Sequence, residues 1–135
     1  MAVNLPKLVS LFLCDEVVHD RASGKTNVFG MFDAIRPHSF PHQQARVGVF
    51  VALTGKLGTF EGRVQCLGPD GATTFATLPR KLGISRGRPV LRVFFRVLQA
   101  RFRVPGIYHM QFLCEDRILT EQPFVVLSKQ GNGDA

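Results

Sequence analysis

The stretch Val90-Leu-Arg-Val-Phe-Phe-Arg-Val-Leu98 decides the fold class of this protein. Its residues alternate between two kinds, and successive side chains of a β-strand point to opposite faces. One set of alternate positions is apolar and comprises Leu91, Val93, Phe95 and Val97. The other set comprises Arg92, Phe94 and Arg96. The alternation therefore predicts a strand with one buried face and one exposed face that is basic and aromatic.

The segment 80–103 around this strand is strongly basic. It contains no Asp or Glu, and its eight basic residues are Arg80, Lys81, Arg86, Arg88, Arg92, Arg96, Arg101 and Arg103. The whole chain has 17 Lys and Arg against 10 Asp and Glu, so the other residues together have a net charge of −1 within a total of +7. Positive charge concentrated in one segment favours an acidic partner.

Further short apolar segments along the chain predict an all-β fold, an antiparallel two-sheet β-sandwich of about eight strands. The predicted strands cover residues 8–18, 26–35, 46–54, 60–67, 73–78, 90–98, 107–114 and 118–127. Turn residues such as Gly68-Pro-Asp-Gly71 separate them, and no window has the 3.6-residue periodicity of a helix. Residues 36–45 and 80–88 are predicted to be loops. The connections are expected to be immunoglobulin-like or C2-like.

The length and composition favour one soluble domain. We expect a single sandwich over residues 1–127 and a disordered C-terminal tail over 128–135. No apolar run approaches the roughly 18–20 residues that a membrane-spanning helix needs. The apolar run 8–14 resembles a lipoprotein signal only faintly, because bulky Leu13 stands where a small residue is required. We therefore expect a cytoplasmic protein.

The three cysteines are spaced far apart, each within an apolar run. Cys14, Cys66 and Cys114 are therefore predicted to be reduced and buried, at core-facing positions of their strands. The alternative is that two of them form a disulfide across the sandwich.

One sequence motif is typical of an enzyme. Gly83-Ile-Ser-Arg-Gly87 matches the G-x-S-x-G nucleophile elbow, which requires a strand before the serine, a helix after it, and then an acid followed by a histidine. Here a predicted strand follows the motif, and the only downstream histidine, His109, precedes Asp116. We predict a loop at this motif, no catalytic residue and no enzymatic activity.

Histidine and aspartate positions give no metal-site pattern. His38 and His42 would share a helix face at their spacing, but Pro41 disfavours a helix there. A calcium site formed by aspartates of the turns is the alternative, although their spacing does not match a calcium loop: Asp15, Asp20, Asp33 and Asp70. We expect no metal site and no cofactor, and the sequence identifies no small-molecule substrate.

The segment Val104-Pro-Gly-Ile-Tyr108 resembles the tyrosine corner of immunoglobulin-like sandwiches. The resemblance implies that the ring of Tyr108 packs inside the sandwich while its hydroxyl group bonds a nearby backbone group. Gly106 in this segment and Gly30 are expected to have structural roles.

Several short motifs connect the chain with a known family. They are the Leu-Cys-Asp sequence at 13–15, Gly24-Lys25 with Asn27 and Gly30, Phe32-Asp33 with Phe40-Pro41, and the Pro-Gly-x-Tyr unit at 105–108. In these motifs the chain resembles a family of small uncharacterised bacterial β-sandwich proteins, over about residues 8–127. The resemblance implies a two-sheet fold and a bacterial source. That family has no established activity.

These observations predict a non-enzymatic interaction or assembly module. It would bind an acidic protein partner, or another copy of itself, through the basic and aromatic strand. The predicted binding surface comprises Arg80, Lys81, Arg86, Arg88, Arg92, Phe94, Arg96, Arg101 and Arg103. One alternative is binding of nucleic acid or an anionic membrane through segment 80–103. Another is that the charges only protect an edge strand from aggregation.

Overall fold

The computed structural model describes residues 5–128, and this part of the chain forms eleven β-strands and no helix. The strands are β1 (Lys7–Cys14), β2 (Glu16–His19), β3 (Thr26–Phe29), β4 (Ala34–Ile35), β5 (His42–Thr54), β6 (Gly58–Leu67), β7 (Thr73–Ala76), β8 (Arg80–Ile84), β9 (Leu91–Phe102), β10 (Gly106–Cys114) and β11 (Arg117–Val126). Over these residues, then, there is no helix that could cross a membrane. All but the first residue of the tail predicted at 128–135 lies outside the described residues.

The strands form two main sheets and one separate hairpin. The first sheet has the order β1-β5-β9, and the second has the order β4-β11-β10-β6-β7, with β8 also paired to β6. Neighbouring strands are antiparallel except β4 and β11, which run parallel. Within residues 5–128, strands β2 and β3 pair only with each other. The predicted all-β two-sheet sandwich is confirmed, with one parallel pair added.

The described chain has three strands more than the predicted eight, and two of the three arise because two apolar runs are interrupted. The amide of Asp15 donates hydrogen bonds to the carbonyls of Phe29 and Gly30, at 3.0 and 3.1 Å, and this turns the chain out of the first sheet. Gly30 has a φ of 68°, and a Cβ atom there would collide with the Asp15 carboxylate. Run 8–18 is thereby divided into β1 and β2, and run 26–35 into β3 and β4.

Two segments predicted to be loops are partly strands. In segment 80–88, β8 covers residues 80–84, where Leu82 and Ile84 are buried and Gly83 between them is exposed, which is the alternation of a strand despite the basic composition. In segment 36–45, β5 already begins at His42, where Gln43 pairs with Arg101 of β9.

The main core lies between the two sheets. Along β5, the four inward residues are fully buried: Val47, Val49, Val51 and Leu53. In β9, Leu91, Val93 and Phe95 are buried at 8%, 4% and 3% exposure, so the inward face predicted for this strand is the inward face of the structure. Phe95 packs across the core against Phe112 of β10, with ring centroids 6.0 Å apart.

Tyr108 joins the two sheets at one end of the sandwich. It is 2% exposed, and its hydroxyl donates a hydrogen bond to the carbonyl of Val104 at 2.7 Å. The ring meets Phe102 edge-on, with centroids 5.1 Å apart, and stacks on Phe124 at 5.7 Å. Gly106 has a φ of 142°, and a Cβ atom there would lie 2.6 Å from Cγ of Pro69. This is the geometry of a tyrosine corner.

The three cysteines are buried free thiols, but they do not share one environment. Cys66 faces the main core, and burial raises its pKa to about 12. Cys14 pairs with Gly48 on the opposite, outward face of the first sheet, so the core-facing position expected for it is wrong. Burial, together with Asp15 and Glu16, raises the pKa of Cys14 to about 11.

Thiol labelling should follow this difference. At pH 8 we expect all three thiols to react slowly with a small alkylating reagent, because they are buried and protonated, and to react quickly once urea unfolds the chain. Cys14 should be the first to react in native protein, since it lies outside the main core on the outward face of the first sheet, where a local opening suffices to expose it. Mass spectrometry of the labelled peptides gives the order. Immediate labelling of all three thiols would contradict the burial.

Candidate functional site

The outward face of the first sheet has a row of three phenylalanines. Phe12 of β1 pairs with Phe50 of β5, and Phe50 pairs with Phe94 of β9, so the three side chains lie side by side across the sheet. The rings of Phe12 and Phe50 are stacked, with centroids 4.8 Å apart and an interplanar angle of 10°. Phe50 is only 6% exposed although it faces away from the main core. Another part of the chain must therefore cover it.

The β2–β3 hairpin provides this cover. Val17 of β2 and Val28 of β3 are half-buried, and each lines a hollow together with Phe50. Cys14 and Phe50 are buried in this region and are not part of the main core. The hairpin and the outward face of the sheet thus form a second, smaller apolar layer.

An acidic residue holds the base of the hairpin against the sheet. Glu16 accepts a hydrogen bond from Arg96 of β9, and its other oxygen lies 3.2 Å from Nη1 of Arg46 of β5. The bond from Arg96 is the main reason that the pKa of Glu16 lies below its usual value. Arg96, a predicted surface residue, is therefore already neutralised within the protein.

A cleft of about 440 Å³ lies between the hairpin and β9. Phe50 and Phe94 give it apolar surface, and its polar lining includes His19, Arg88 and Arg92. Arg92 also borders an adjacent hollow of about 360 Å³ with Lys25. Neither Arg88 nor Arg92 has an ion-pair partner within residues 5–128. The cleft therefore combines unneutralised guanidinium groups with aromatic surface.

Phe94 faces outward but is half-buried. A Cβ atom on Gly48 would collide with its ring, so the ring lies directly over that glycine. The Arg96 guanidinium lies 5.3 Å from the ring centroid. One part of the ring is thus covered by the protein itself, and another part lines the cleft.

β9 is also a free edge. Within the described chain it pairs only with β5. Arg80 of β8 reaches this edge, where it donates a hydrogen bond to the carbonyl of Phe94 at 2.8 Å. Its guanidinium lies 5.6 Å from the ring centroid of Phe95. The Arg80 side chain thus occupies the Phe94 carbonyl, a hydrogen-bond acceptor that a neighbouring strand would otherwise use.

The predicted surface residues Lys81, Arg86, Arg101 and Arg103 are exposed, and none of these four lines the cleft with Arg92. Lys81 lies in β8, and Arg86 lies in the turn between β8 and β9. Arg101 and Arg103 border a separate hollow of about 700 Å³ with Asp70. Arg101 lies nine positions after Arg92, which is about 30 Å along β9. The basic segment therefore presents two sites at opposite ends of the strand.

The serine motif and the histidines occupy structural positions rather than a catalytic or metal-binding arrangement. Ser85 lies in the tight turn before β9, where its carbonyl accepts a hydrogen bond from the Arg88 amide at 3.0 Å. His42 bonds Gln44 at 2.8 Å. His109 lies 3.9 Å from Glu121. Between residues 5 and 128, no three His, Cys, Asp or Glu side chains come together as metal ligands would.

Comparison with protein families shows which family the chain belongs to. A family profile matches residues 9–127, nearly the whole described sandwich. The chain belongs to DUF6941, a family of unknown function. The resemblance of the sequence to an uncharacterised β-sandwich family is thereby confirmed. No curated protein shows significant sequence similarity to this DUF6941 member.

Solved structures similar to this DUF6941 member include two proteins of Pseudomonas species. Alkylpurine DNA glycosylase AlkC of Pseudomonas fluorescens, bound to DNA containing an abasic site analogue, has a TM-score of 0.54 and 12% identity. The match covers 91% of this chain but only 30% of the glycosylase chain. An immunoglobulin-like protein of Pseudomonas aeruginosa has a TM-score of 0.46 and 15% identity, with 92% and 98% of the two chains covered. The glycosylase likeness shows the fold alone.

Sequence reasoning about this DUF6941 member missed three residues of the cleft region. Phe50 has outward parity on β5, and the glycine two positions earlier, Gly48, leaves room for the Phe94 ring. Two of the three, Gly48 and Phe50, could have been found from the alternation of β5. Glu16 could not, because its partner Arg96 lies 80 residues away in sequence.

Proposed function

We propose that this protein is a non-enzymatic, cytoplasmic interaction module that binds an acidic segment of a partner protein at β9 and the adjoining cleft. The observation that carries the proposal is the pair of unneutralised arginines, Arg88 and Arg92, beside the aromatic surface of Phe50 and Phe94. Arginine with partly buried aromatic rings is the composition of protein-binding hot spots. In support of a non-enzymatic role, the serine motif lies in a turn between two strands rather than on a strand-to-helix elbow.

An acidic partner is favoured over a second copy of the same strand. If β9 of one molecule paired with β9 of another, the basic residues Arg92 and Arg96 of both strands would come close together. Like charges facing each other across a strand pair are destabilising. Glu16 can relieve this repulsion only in part, because it already binds Arg96 and Arg46 of its own chain.

Nucleic acid is the second candidate ligand. The glycosylase with a similar fold was solved in complex with DNA, and segment 80–103 is basic. Binding of single strands relies on aromatic rings on which bases can stack. Phe94 is a poor platform for stacking, because it rests on Gly48 and lies beneath Arg96. This geometry favours an acidic protein segment.

Salt dependence separates the candidates. We expect a flexible peptide of Glu-Phe-Gly repeats to bind the purified protein and to lose less than about tenfold in affinity between roughly 50 and 200 mM salt, since apolar contacts persist. A single-stranded oligonucleotide and phosphatidylserine vesicles serve as the competing ligands in the same titrations. Binding to nucleic acid falls steeply with salt, because it releases condensed counterions.

The proposal would be wrong if the oligonucleotide or the vesicles bound more tightly than the peptide at the higher salt concentration. The first result would assign the surface to nucleic acid, and the second would assign it to a membrane.

A further inference from the structure

We infer that the acidic segment binds by adding a strand to the free edge of β9. This inference rests on the proposed function and specifies how the partner is held. β9 has twelve residues and pairs only with β5 in the described part of the chain. In a strand, the N–H and C=O groups of alternate residues point to the same edge. An edge of this kind is a template for pairing with another extended chain.

The contact made by Arg80 identifies which groups face the free edge. Its guanidinium donates to the carbonyl of Phe94 from β8, which lies in the other sheet. The N–H and C=O groups of Phe94 therefore point away from β5, and by alternation so do those of Arg92 and Arg96. Arg80 occupies one of these acceptors while no partner is bound. An incoming strand would replace that bond with one from its own backbone.

The outward side chains along this edge define the partner sequence. Along β9 these side chains alternate between cationic and apolar: Arg92, Phe94, Arg96 and Leu98, of which Leu98 is 61% exposed. Directly opposed residues of paired strands interact most strongly. The partner strand should therefore alternate acidic and apolar residues at every second position, with one acid opposite the unpaired Arg92 and a second acid that shares Arg96 with Glu16. An antiparallel strand with this pattern is Leu-Thr-Glu-Thr-Val-Thr-Glu, in which threonines occupy the intervening positions.

Backbone methylation tests the pairing directly. In one capped peptide of this sequence, the amides of both glutamates and of valine are N-methylated, because these would face β9. The matched control carries three N-methyl groups on the threonines, whose amides would point away. Titrations followed by nuclear magnetic resonance should show binding weakened by about tenfold or more in the first peptide and by less than about twofold in the control. The amides of Phe94 and Arg96 should gain protection from hydrogen exchange.

A pair of protein variants tests the same strand pairing by changing the protein instead of the peptide. Arg80→Ala and Lys81→Ala each remove one positive charge from β8, but only the first frees the Phe94 carbonyl. Arg80→Ala should bind the unmethylated peptide about threefold more tightly than Lys81→Ala does.

Each outcome decides between the two proposals. Equal binding of all three peptides would overturn strand addition and leave recognition of an acidic segment intact. Absence of binding by the unmethylated peptide, while the Glu-Phe-Gly peptide binds, would also overturn strand addition alone. Failure of both peptides would overturn the proposed function as well.

Discussion

Replacement of Tyr108 by alanine should lower the free energy of unfolding by about 3 kcal/mol or more. The side chain is 2% exposed and packs between Phe102 and Phe124, so truncation removes a ring that contacts residues of both sheets. Tyr108→Phe keeps the ring and removes only the hydroxyl group that bonds Val104. That change should cost about 0.5–1.5 kcal/mol, the usual value for one hydrogen bond. Urea melts of the two variants measure both numbers.

Ile107→Ala is the matched control for this experiment. Ile107 lies next to Tyr108 on β10, but its side chain points outward and is 52% exposed. Its truncation should change stability by no more than about 0.5 kcal/mol. If Tyr108→Ala and Ile107→Ala have equal, small effects, Tyr108 does not join the sheets and the tyrosine-corner geometry is wrong.

Replacement of Arg92 by glutamate should weaken binding of the Glu-Phe-Gly peptide by about tenfold or more, which is 1.4 kcal/mol. Arg92 has no ion-pair partner between residues 5 and 128, so its charge is available to an acidic ligand. The change places a carboxylate in a cleft that should receive one. Stability should stay within about 0.5 kcal/mol of the wild type, because the side chain is exposed.

Arg117→Glu is the matched control for charge. Arg117 is also exposed and lies on β11 of the second sheet, so its reversal changes the net charge equally without touching the cleft. It should leave peptide affinity nearly unchanged. Equal losses in Arg92→Glu and Arg117→Glu would mean that only net charge matters. Equal retention in both variants would mean that the arginines of β9 only protect an edge strand.

Arg96 is unsuitable for the same test, although the sequence places it on the same face as Arg92. Its guanidinium binds Glu16, so a glutamate at position 96 would bring two carboxylates together and loosen the base of the hairpin. A loss of binding in Arg96→Glu would therefore combine two effects. Phe94→Ala is cleaner, because it removes apolar surface from the cleft without changing charge. Phe94→Ala should lower the affinity for the Glu-Phe-Gly peptide at both the low and the high salt concentration of the titrations.

Much of the sandwich was predictable from local alternation. A side chain's direction in a strand depends only on the parity of its position, so the buried and exposed sets of β9 follow directly from the order of its residues. The same reasoning gave the inward residues of β5 and the core-facing positions of Cys66 and Cys114, but it assigned Cys14 to the wrong face. It failed for β8, where Arg80 and Lys81 dominate the composition and conceal the alternation of Leu82 and Ile84.

The sequence by itself thus determined the all-β class, the inward faces of the long strands and the basic character of segment 80–103. Only the tertiary structure decided which cations are free, because Glu16 neutralises Arg96 across 80 residues of sequence and leaves Arg92 unpaired. It also decided that Phe50, in the outward row, is buried beneath the β2–β3 hairpin. Parity assigns a residue to a face of a sheet. Whether that face is covered depends on contacts between segments distant in sequence, and local pattern carries no information about them.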